Sequence, residues 1–158
     1  MEQYNELLVD ACIPIAKFKG SDPAFQLQHT DLFFQMVESY PLKILIIKKV
    51  LGEANKYSYL MDSINDFFTK LESKGKFFMI QNDFIQGKQQ DIIKIKKDAL
   101  EEDIDLSFED SLQAFYAKTK GVPLISWDGP LIDYCQLRGI IAFRPNEFCE
   151  EYEKKYHL

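Results

Sequence analysis

The stretch Leu7-Leu8-Val9-Asp10 is a run of three apolar residues that ends directly on an acid. A continuous apolar run is typical of a strand buried on both faces of a parallel sheet, because no face of the strand is left for polar residues. Four later runs have the same character. We predict strands at residues 7–9, 43–47, 76–81, 123–127 and 140–143.

Between these strands, apolar residues recur at helical spacing. Leu60, Ile64, Phe68 and Leu71 lie on one face of a predicted helix. Helices are predicted at 31–40, 60–73, 89–100, 107–120, 131–138 and 146–156, whereas Pro14 is expected to delay any helix after Asp10. The alternation predicts an α/β fold with a central parallel sheet of about five strands, in one domain spanning residues 1–158.

The composition excludes several classes of protein. With 46% hydrophobic and 28% charged residues, the 158-residue chain resembles an ordinary soluble globular protein. No apolar run reaches the roughly 18 residues of a membrane span, and the acidic N-terminus precedes no secretory segment, so a cytoplasmic protein without membrane contact is expected. Three widely spaced cysteines, two histidines and no Cys-x-x-Cys motif disfavour disulfides and a zinc site.

Four acids lie where a predicted strand ends or a helix begins: Asp10, Glu53, Asp110 and Asp128. Ligands bind outside the carboxyl ends of parallel strands, so we expect these acids to gather at one edge of the sheet. Clustered carboxylates bind Mg²⁺ or Mn²⁺, and such sites commonly act on phosphates. The net charge of −6 argues against a nucleic-acid substrate, but two bound divalent cations would reduce it to −2 and reverse the local field.

Each acid also has a purely structural interpretation. Asp110 would complete a capping box with Ser107, and Asp128 stands in an Asp-Gly turn. Glu53 would lie on a solvated helix face, and Asp10 would cap the segment after it. Four unrelated structural roles would not be expected to place four acids at strand ends and helix starts across the whole chain. The metal-site interpretation is therefore the stronger one.

Five stretches, taken in order, resemble the PIN-domain nucleases, the family of VapC-type toxin ribonucleases. They are Leu8-Val9-Asp10-Ala11-Cys12-Ile13-Pro14, Lys49-Val50-Leu51-Gly52-Glu53, Leu106-Ser107-Phe108-Glu109-Asp110-Ser111-Leu112-Gln113-Ala114, Leu124-Ile125-Ser126-Trp127-Asp128 and Gly139-Ile140-Ile141-Ala142-Phe143-Arg144-Pro145-Asn146-Glu147-Phe148. The resemblance implies an α/β/α sandwich with strand order 3-2-1-4-5. One departure is Cys12, which stands where the family often has Asn or Ser.

The resemblance also implies a function. The implied function is hydrolysis of RNA phosphodiester bonds by an endoribonuclease that uses Mg²⁺ or Mn²⁺. Asp10, Asp110 and Asp128 would hold the metal, and Glu53 would share it or complete a second site. The protein would be the toxin of a toxin–antitoxin pair, with RNA as substrate and a small antitoxin as partner. A homodimer is a further expectation, with one phenylalanine of Phe33/Phe34 and one of Phe67/Phe68 on a partner surface.

Two other functions remain open from the sequence. The first is a catalytically silent PIN-like module that binds protein, which Cys12 and the net acidity allow. The second is a phosphoacceptor receiver domain, also built on five parallel strands. It would need an acid pair after the first strand, an acceptor such as Asp83 after the third and a lysine where Arg144 precedes Pro145.

Overall fold

The computed structural model describes residues 4–19 and 24–157. Five strands form a single, fully parallel sheet: β1 (Glu6–Val9), β2 (Lys43–Ile47), β3 (Phe77–Ile80), β4 (Leu124–Ile125) and β5 (Ala142–Phe143). Their order is β3-β2-β1-β4-β5, as the resemblance implied. A receiver domain has the order 2-1-3-4-5, so this topology excludes the receiver alternative.

The central strand β1 explains the apolar runs in the sequence. Leu8 pairs with Leu45 of β2 on one side and with Leu124 of β4 on the other. Leu7 and Val9 pack into the core on one face of the sheet, whereas Leu8 packs into the core on the opposite face. All three side chains are fully buried. The apolar run therefore reflects burial on both faces, as predicted.

Eight α-helices surround the sheet in the part of the chain that the structure describes. They are α1 (Cys12–Lys19), α2 (Ala24–Ser39), α3 (Lys48–Leu51), α4 (Ser58–Ser73), α5 (Gln89–Glu101), α6 (Phe108–Lys120), α7 (Gly129–Leu137) and α8 (Pro145–Tyr156). Two 3₁₀ turns, Gly52–Tyr57 and Asn82–Ile85, follow α3 and β3. Among these helices, none combines the length and the hydropathy that a bilayer crossing requires.

The helices form two layers, one on each face of the sheet. Helices α1, α2, α4 and α8 pack on one face, and buried rings such as Phe33 and Phe148 fill the space between them. Helices α5, α6 and α7 cover the other face with smaller side chains, including Ala99, Ala114 and Ala117. The predicted α/β/α sandwich is thus confirmed. The small residues of α6 let its first turn lie close to the carboxyl edge of the sheet.

The structure corrects the sequence prediction at α1, at strands β4 and β5, and at α2, which begins at Ala24 instead of residue 31. Helix α1 begins at Cys12, so Pro14 lies inside its first turn instead of delaying it. Proline is tolerated there because the first N–H groups of a helix have no partner within the helix. Strands β4 and β5 have only two residues each, and β4 ends before Ser126. This early end frees Ser126 and the residues after it to form the site described below.

The expected partner surface of paired phenylalanines is wrong for one pair. Phe33 and Phe34 are both buried, and their rings contact each other at 5.4 Å between centroids. Phe68 is buried as predicted, while Phe67 is half-buried against Phe34 at 4.8 Å and Phe18 at 5.7 Å. These rings lie between helices α1, α2 and α4, because three helices meet there and need large side chains to fill the gap.

Candidate metal centre

Three of the four predicted acids meet at the carboxyl edge of the sheet. Asp10 follows β1 directly, Asp110 lies in the first turn of α6, and Asp128 precedes α7. One oxygen from each carboxylate lies within 4.8 Å of the other two. The parallel topology brings strand ends and helix starts to one edge. It therefore places Asp10 beside Asp110 and Asp128, which follow it by 100 positions and more.

Asp10 is the buried member of the group and is held by three donors. The Ser126 hydroxyl donates to Oδ2 at 2.7 Å, and the Gln113 side-chain amide donates to Oδ1 at 3.2 Å. The Cys12 thiol donates to Oδ2 at 3.4 Å. These contacts replace the water that a buried carboxylate loses, and they fix the orientation of Asp10.

Asp110 and Asp128 are also helix caps. The Ser107 hydroxyl accepts from the Asp110 N–H at 3.0 Å, and Asp110 Oδ2 accepts from the Ser107 N–H at 3.4 Å, which is the predicted capping box. Asp128 is the N-cap of α7, and its Oδ1 accepts from the Leu131 N–H at 3.3 Å. Capping and membership of the acid group therefore coexist, and the caps hold both carboxylates in place.

Glu53 lies beside the three-acid group rather than within it. It stands in the 3₁₀ turn Gly52–Tyr57, on the chain that leaves β2. Burial, followed by the charges of Asp10 and Asp110, raises the pKa of Glu53 to about 7. Burial, followed by the charges of Asp128 and Asp10, raises the pKa of Asp110 to about 6. The four acids thus share one electrostatic environment, in which negative charge accumulates.

A cleft of about 540 Å³ opens above these acids. Its walls include Glu53, Asp110 and Asp128 together with Lys49 and Lys56. Lys49 lies 4.0 Å from the carboxylate of Glu109, another acid in the cleft wall. A phosphate in the cleft would therefore meet both lysines and carboxylates.

The donor set fits a hard divalent cation. None of the ion pairs among residues 4–19 and 24–157 involves Asp10, Asp110 or Asp128, so no lysine or arginine compensates their charge by direct pairing. Ligand oxygens around an octahedral ion with bonds of about 2.1 Å stand roughly 3–4 Å apart, and one oxygen from each of these carboxylates lies within 4.8 Å of the others. Oxygen donors of this type suit Mg²⁺ and Mn²⁺.

Sequence reasoning missed the residues that hold Asp10. Ser126 is fully buried, and its hydroxyl also accepts from the Asp128 N–H at 2.9 Å, so it links two of the acids. Gln113 is fully buried too, one helical turn after Asp110. The signal available in the sequence was a single polar residue, Ser126 or Gln113, within an otherwise apolar buried segment. The missing information was that residues more than 100 positions apart meet.

Cys12, which stands where the PIN-domain pattern often has Asn or Ser, takes part in the same network. Its Sγ accepts from the Trp127 backbone N–H at 3.3 Å and lies 3.5 Å from the Ser126 hydroxyl. Burial, followed by the charge of Asp10, raises the pKa of the Cys12 thiol well above its usual value. The thiol therefore stays protonated and acts as a donor to Asp10, not as a metal ligand.

The raised pKa values predict how the metal-free protein responds to pH. The folded state keeps protons on Asp110 and Glu53 that the unfolded chain releases near pH 4, so stability falls as pH rises from about 4 to about 7. In EDTA we expect the melting temperature to drop by about 2–4 °C between pH 5 and pH 7.5, allowing for partial solvent exposure. Asp110→Asn should remove much of this drop.

The control for this experiment is Asp133→Asn, which changes an exposed acid of α7 outside the three-acid group. It should melt with the same pH dependence as the wild type. Saturating Mg²⁺ should raise the melting temperature more at pH 7.5 than at pH 5, because protons compete with the ion. Equal melting temperatures in EDTA at pH 5 and pH 7.5 would contradict the crowding of charge at this site.

Comparison with known proteins places the fold. The sequence matches no known protein family, and no curated protein matches it. Two solved structures are similar to this chain. PAE2754 from Pyrobaculum aerophilum has 16% identity over 89% of this chain and 90% of its own chain, with a TM-score of 0.53. FitAcB from Neisseria gonorrhoeae has 12% identity over 88% of this chain and 97% of its own chain, with a TM-score of 0.57. At these identities the likeness is one of fold, and it agrees with a PIN-like sandwich.

Proposed function

We propose that this protein is a metal-dependent endoribonuclease that hydrolyses phosphodiester bonds of RNA. The observation that carries the proposal is the meeting of Asp10, Asp110 and Asp128 at the carboxyl edge of a PIN-like sheet, where no ion pair among the described residues involves them. Such a group is costly to a fold unless a cation compensates it. The resemblance of the sequence to PIN-domain nucleases supports the same assignment.

In this proposal, Asp10, Asp110 and Asp128 hold Mg²⁺ or Mn²⁺, and Glu53 shares the ion or completes a second site. When bound, the ion supplies an activated water for in-line attack and neutralises charge on the phosphate. Ser126 and Gln113 keep Asp10 oriented toward the ion. Lys49 and Lys56, which line the cleft, attract the phosphates that flank the scissile bond.

The test is cleavage of single-stranded and structured RNA by the purified protein. We expect cleavage with Mg²⁺ or Mn²⁺, loss of cleavage in EDTA and recovery when the metal is added back. Calorimetry should detect Mn²⁺ binding in the absence of RNA. Cleavage that persists in EDTA would contradict the proposal. Absence of both cleavage and Mn²⁺ binding would instead support the catalytically silent binding module.

We also propose that this nuclease is the toxin of a toxin–antitoxin pair, with a small antitoxin as partner. The resemblance to VapC-type proteins is the support for this role, and a homodimer belongs to the same proposal. A neighbouring reading frame that encodes a small DNA-binding protein, and that relieves growth arrest on co-expression, is the expected result. Absence of such a frame would count against the toxin role and leave the nuclease activity untouched.

A further inference from the structure

An aromatic cluster made of Phe25, His29 and Trp127 lies next to the acid group. Trp127 directly precedes Asp128, so the Cα atoms of the two residues are about 3.8 Å apart. The rings of Phe25 and Trp127 are 6.0 Å apart between centroids at 67°, and those of Phe25 and His29 are 4.2 Å apart at 51°. Side chains from the start of α2 thus meet the end of the β4 segment beside the candidate metal centre.

Trp127 is fixed at both its backbone and its ring. Its Nε1–H donates to the hydroxyl of the fully buried Thr30 at 2.9 Å, and its backbone N–H donates to Cys12 Sγ at 3.3 Å. The indole is half-buried and packs against the core on its other side. Its position relative to Asp128 is therefore set before any ligand binds, which reduces the entropy cost of binding.

Phe25 has no comparable structural role. It is 52% exposed and belongs to neither of the two hydrophobic cores. Its ring contacts that of Trp127, whose sequence neighbour Asp128 lines the candidate catalytic cleft. Phe25 is thus a solvent-exposed ring that the two cores do not require and that is connected to the acid group through Trp127.

We propose that the aromatic cluster is a stacking platform for an unpaired base of the RNA strand, on the nucleotide next to the scissile phosphate. This inference rests on the proposed nuclease function and extends it to the substrate, which would be single-stranded at the cleavage point. Bases stack on aromatic rings in a way that tolerates sequence, whereas bases in a duplex have no free face.

The charge of the protein limits how much phosphate contacts can contribute to RNA binding. With a net charge of −6, the chain gains less from phosphate contacts than a basic protein does. Lys49 and Lys56 are the lysines in the cleft wall, where they face several carboxylates. Stacking on Phe25 and Trp127 supplies affinity that does not depend on phosphate charge. Binding should therefore weaken less with added salt than it does for basic RNA-binding proteins.

The experiment uses the fact that Trp127 is the only tryptophan of the chain. Tryptophan fluorescence therefore reports on this cluster alone. The full-length protein is titrated in Ca²⁺ with a ten-nucleotide single-stranded oligoribonucleotide, and with an abasic oligomer of equal length and charge. Electrophoresis of the same samples checks that the RNA stays intact. We expect the base-bearing oligomer to quench the fluorescence and bind, and the abasic oligomer to do neither strongly.

Substitution of Phe25 separates stacking from general binding. Phe25→Leu should weaken binding of the base-bearing oligomer by roughly 5- to 100-fold, and Phe25→Tyr should restore it. The matched control is Phe78→Leu, which removes a phenylalanine of similar exposure from the edge strand β3. It should bind like the wild type, and all three variants should keep the wild-type melting temperature within a few degrees.

Two results would overturn the inference: equal quenching by the two oligomers, or unchanged affinity in Phe25→Leu. Either would leave the cluster as a surface for another occupant, such as a partner protein. The experiment distinguishes a failure of the stacking platform from a failure of the proposed nuclease function. RNA cleavage without base-dependent quenching would refute the platform alone, and base-dependent quenching without metal-dependent cleavage would refute the nuclease proposal alone.

Discussion

Replacement of Asp128 by Asn is expected to lower the rate of RNA cleavage by more than about 100-fold while leaving the fold intact. Loss of a residue that merely supports a metal ligand costs 10- to 100-fold, so loss of a charged ligand should cost more. The fold should persist because Asn is also a good N-cap and can accept the hydrogen bond from Leu131 that Asp128 accepts.

The same substitution should not reduce stability without metal. Burial raises the pKa of Asp128, and the charge of Asp10 raises it further. The hydrogen bond from the Leu131 N–H lowers this pKa in part. Removing its charge relieves this repulsion, so we expect the melting temperature in EDTA at pH 7.5 to stay level or rise. Asp133→Asn, an equal charge change on the same helix, should keep wild-type cleavage. Activity of Asp128→Asn within a few-fold of the wild type would refute its role as a ligand.

The predictions that the structure confirms depend on patterns among residues that are close in sequence. Strand β2 was predicted with its observed bounds, since burial on both faces produces an apolar run that no helix surface shares. Helix α4 was predicted to start at Leu60 and begins at Ser58, because its apolar stripe is regular and only its end is ambiguous. The capping box of Ser107 and Asp110 was readable because both partners lie within four residues.

The parts that were missed depend on contacts between distant residues. Ser126 and Gln113 contact Asp10 across 116 and 103 positions, and no local pattern marks such a pair. Helix α1 was missed because Pro14 was treated as a helix breaker, although its position in the first turn makes it compatible with the helix. The acids could be predicted as a group since the parallel topology, once recognised, assigns all of them to one edge.

Ser126→Ala is expected to weaken metal binding by about 10- to 100-fold, although Ser126 is not itself a predicted ligand. The Ser126 hydroxyl donates to Asp10 at 2.7 Å and accepts from the Asp128 N–H at 2.9 Å. Its loss leaves Asp10 with fewer donors and the partly buried Asp128 N–H without its acceptor. The acids should then be held less firmly in the arrangement that the ion requires. Mn²⁺ calorimetry measures the change directly.

Stability distinguishes this variant from Asp128→Asn. The unpaired groups left by Ser126→Ala should lower the free energy of unfolding in EDTA by about 1–3 kcal/mol, whereas Asp128→Asn should not lower it. Excess Mn²⁺ should restore cleavage in Ser126→Ala, because the carboxylates remain, but not in Asp128→Asn. The control is Ser111→Ala, a fully buried serine whose hydroxyl donates to the Ser107 carbonyl instead of an acid. Equal losses of Mn²⁺ affinity in Ser111→Ala and Ser126→Ala would mean that general loosening, not the orientation of Asp10, explains the effect.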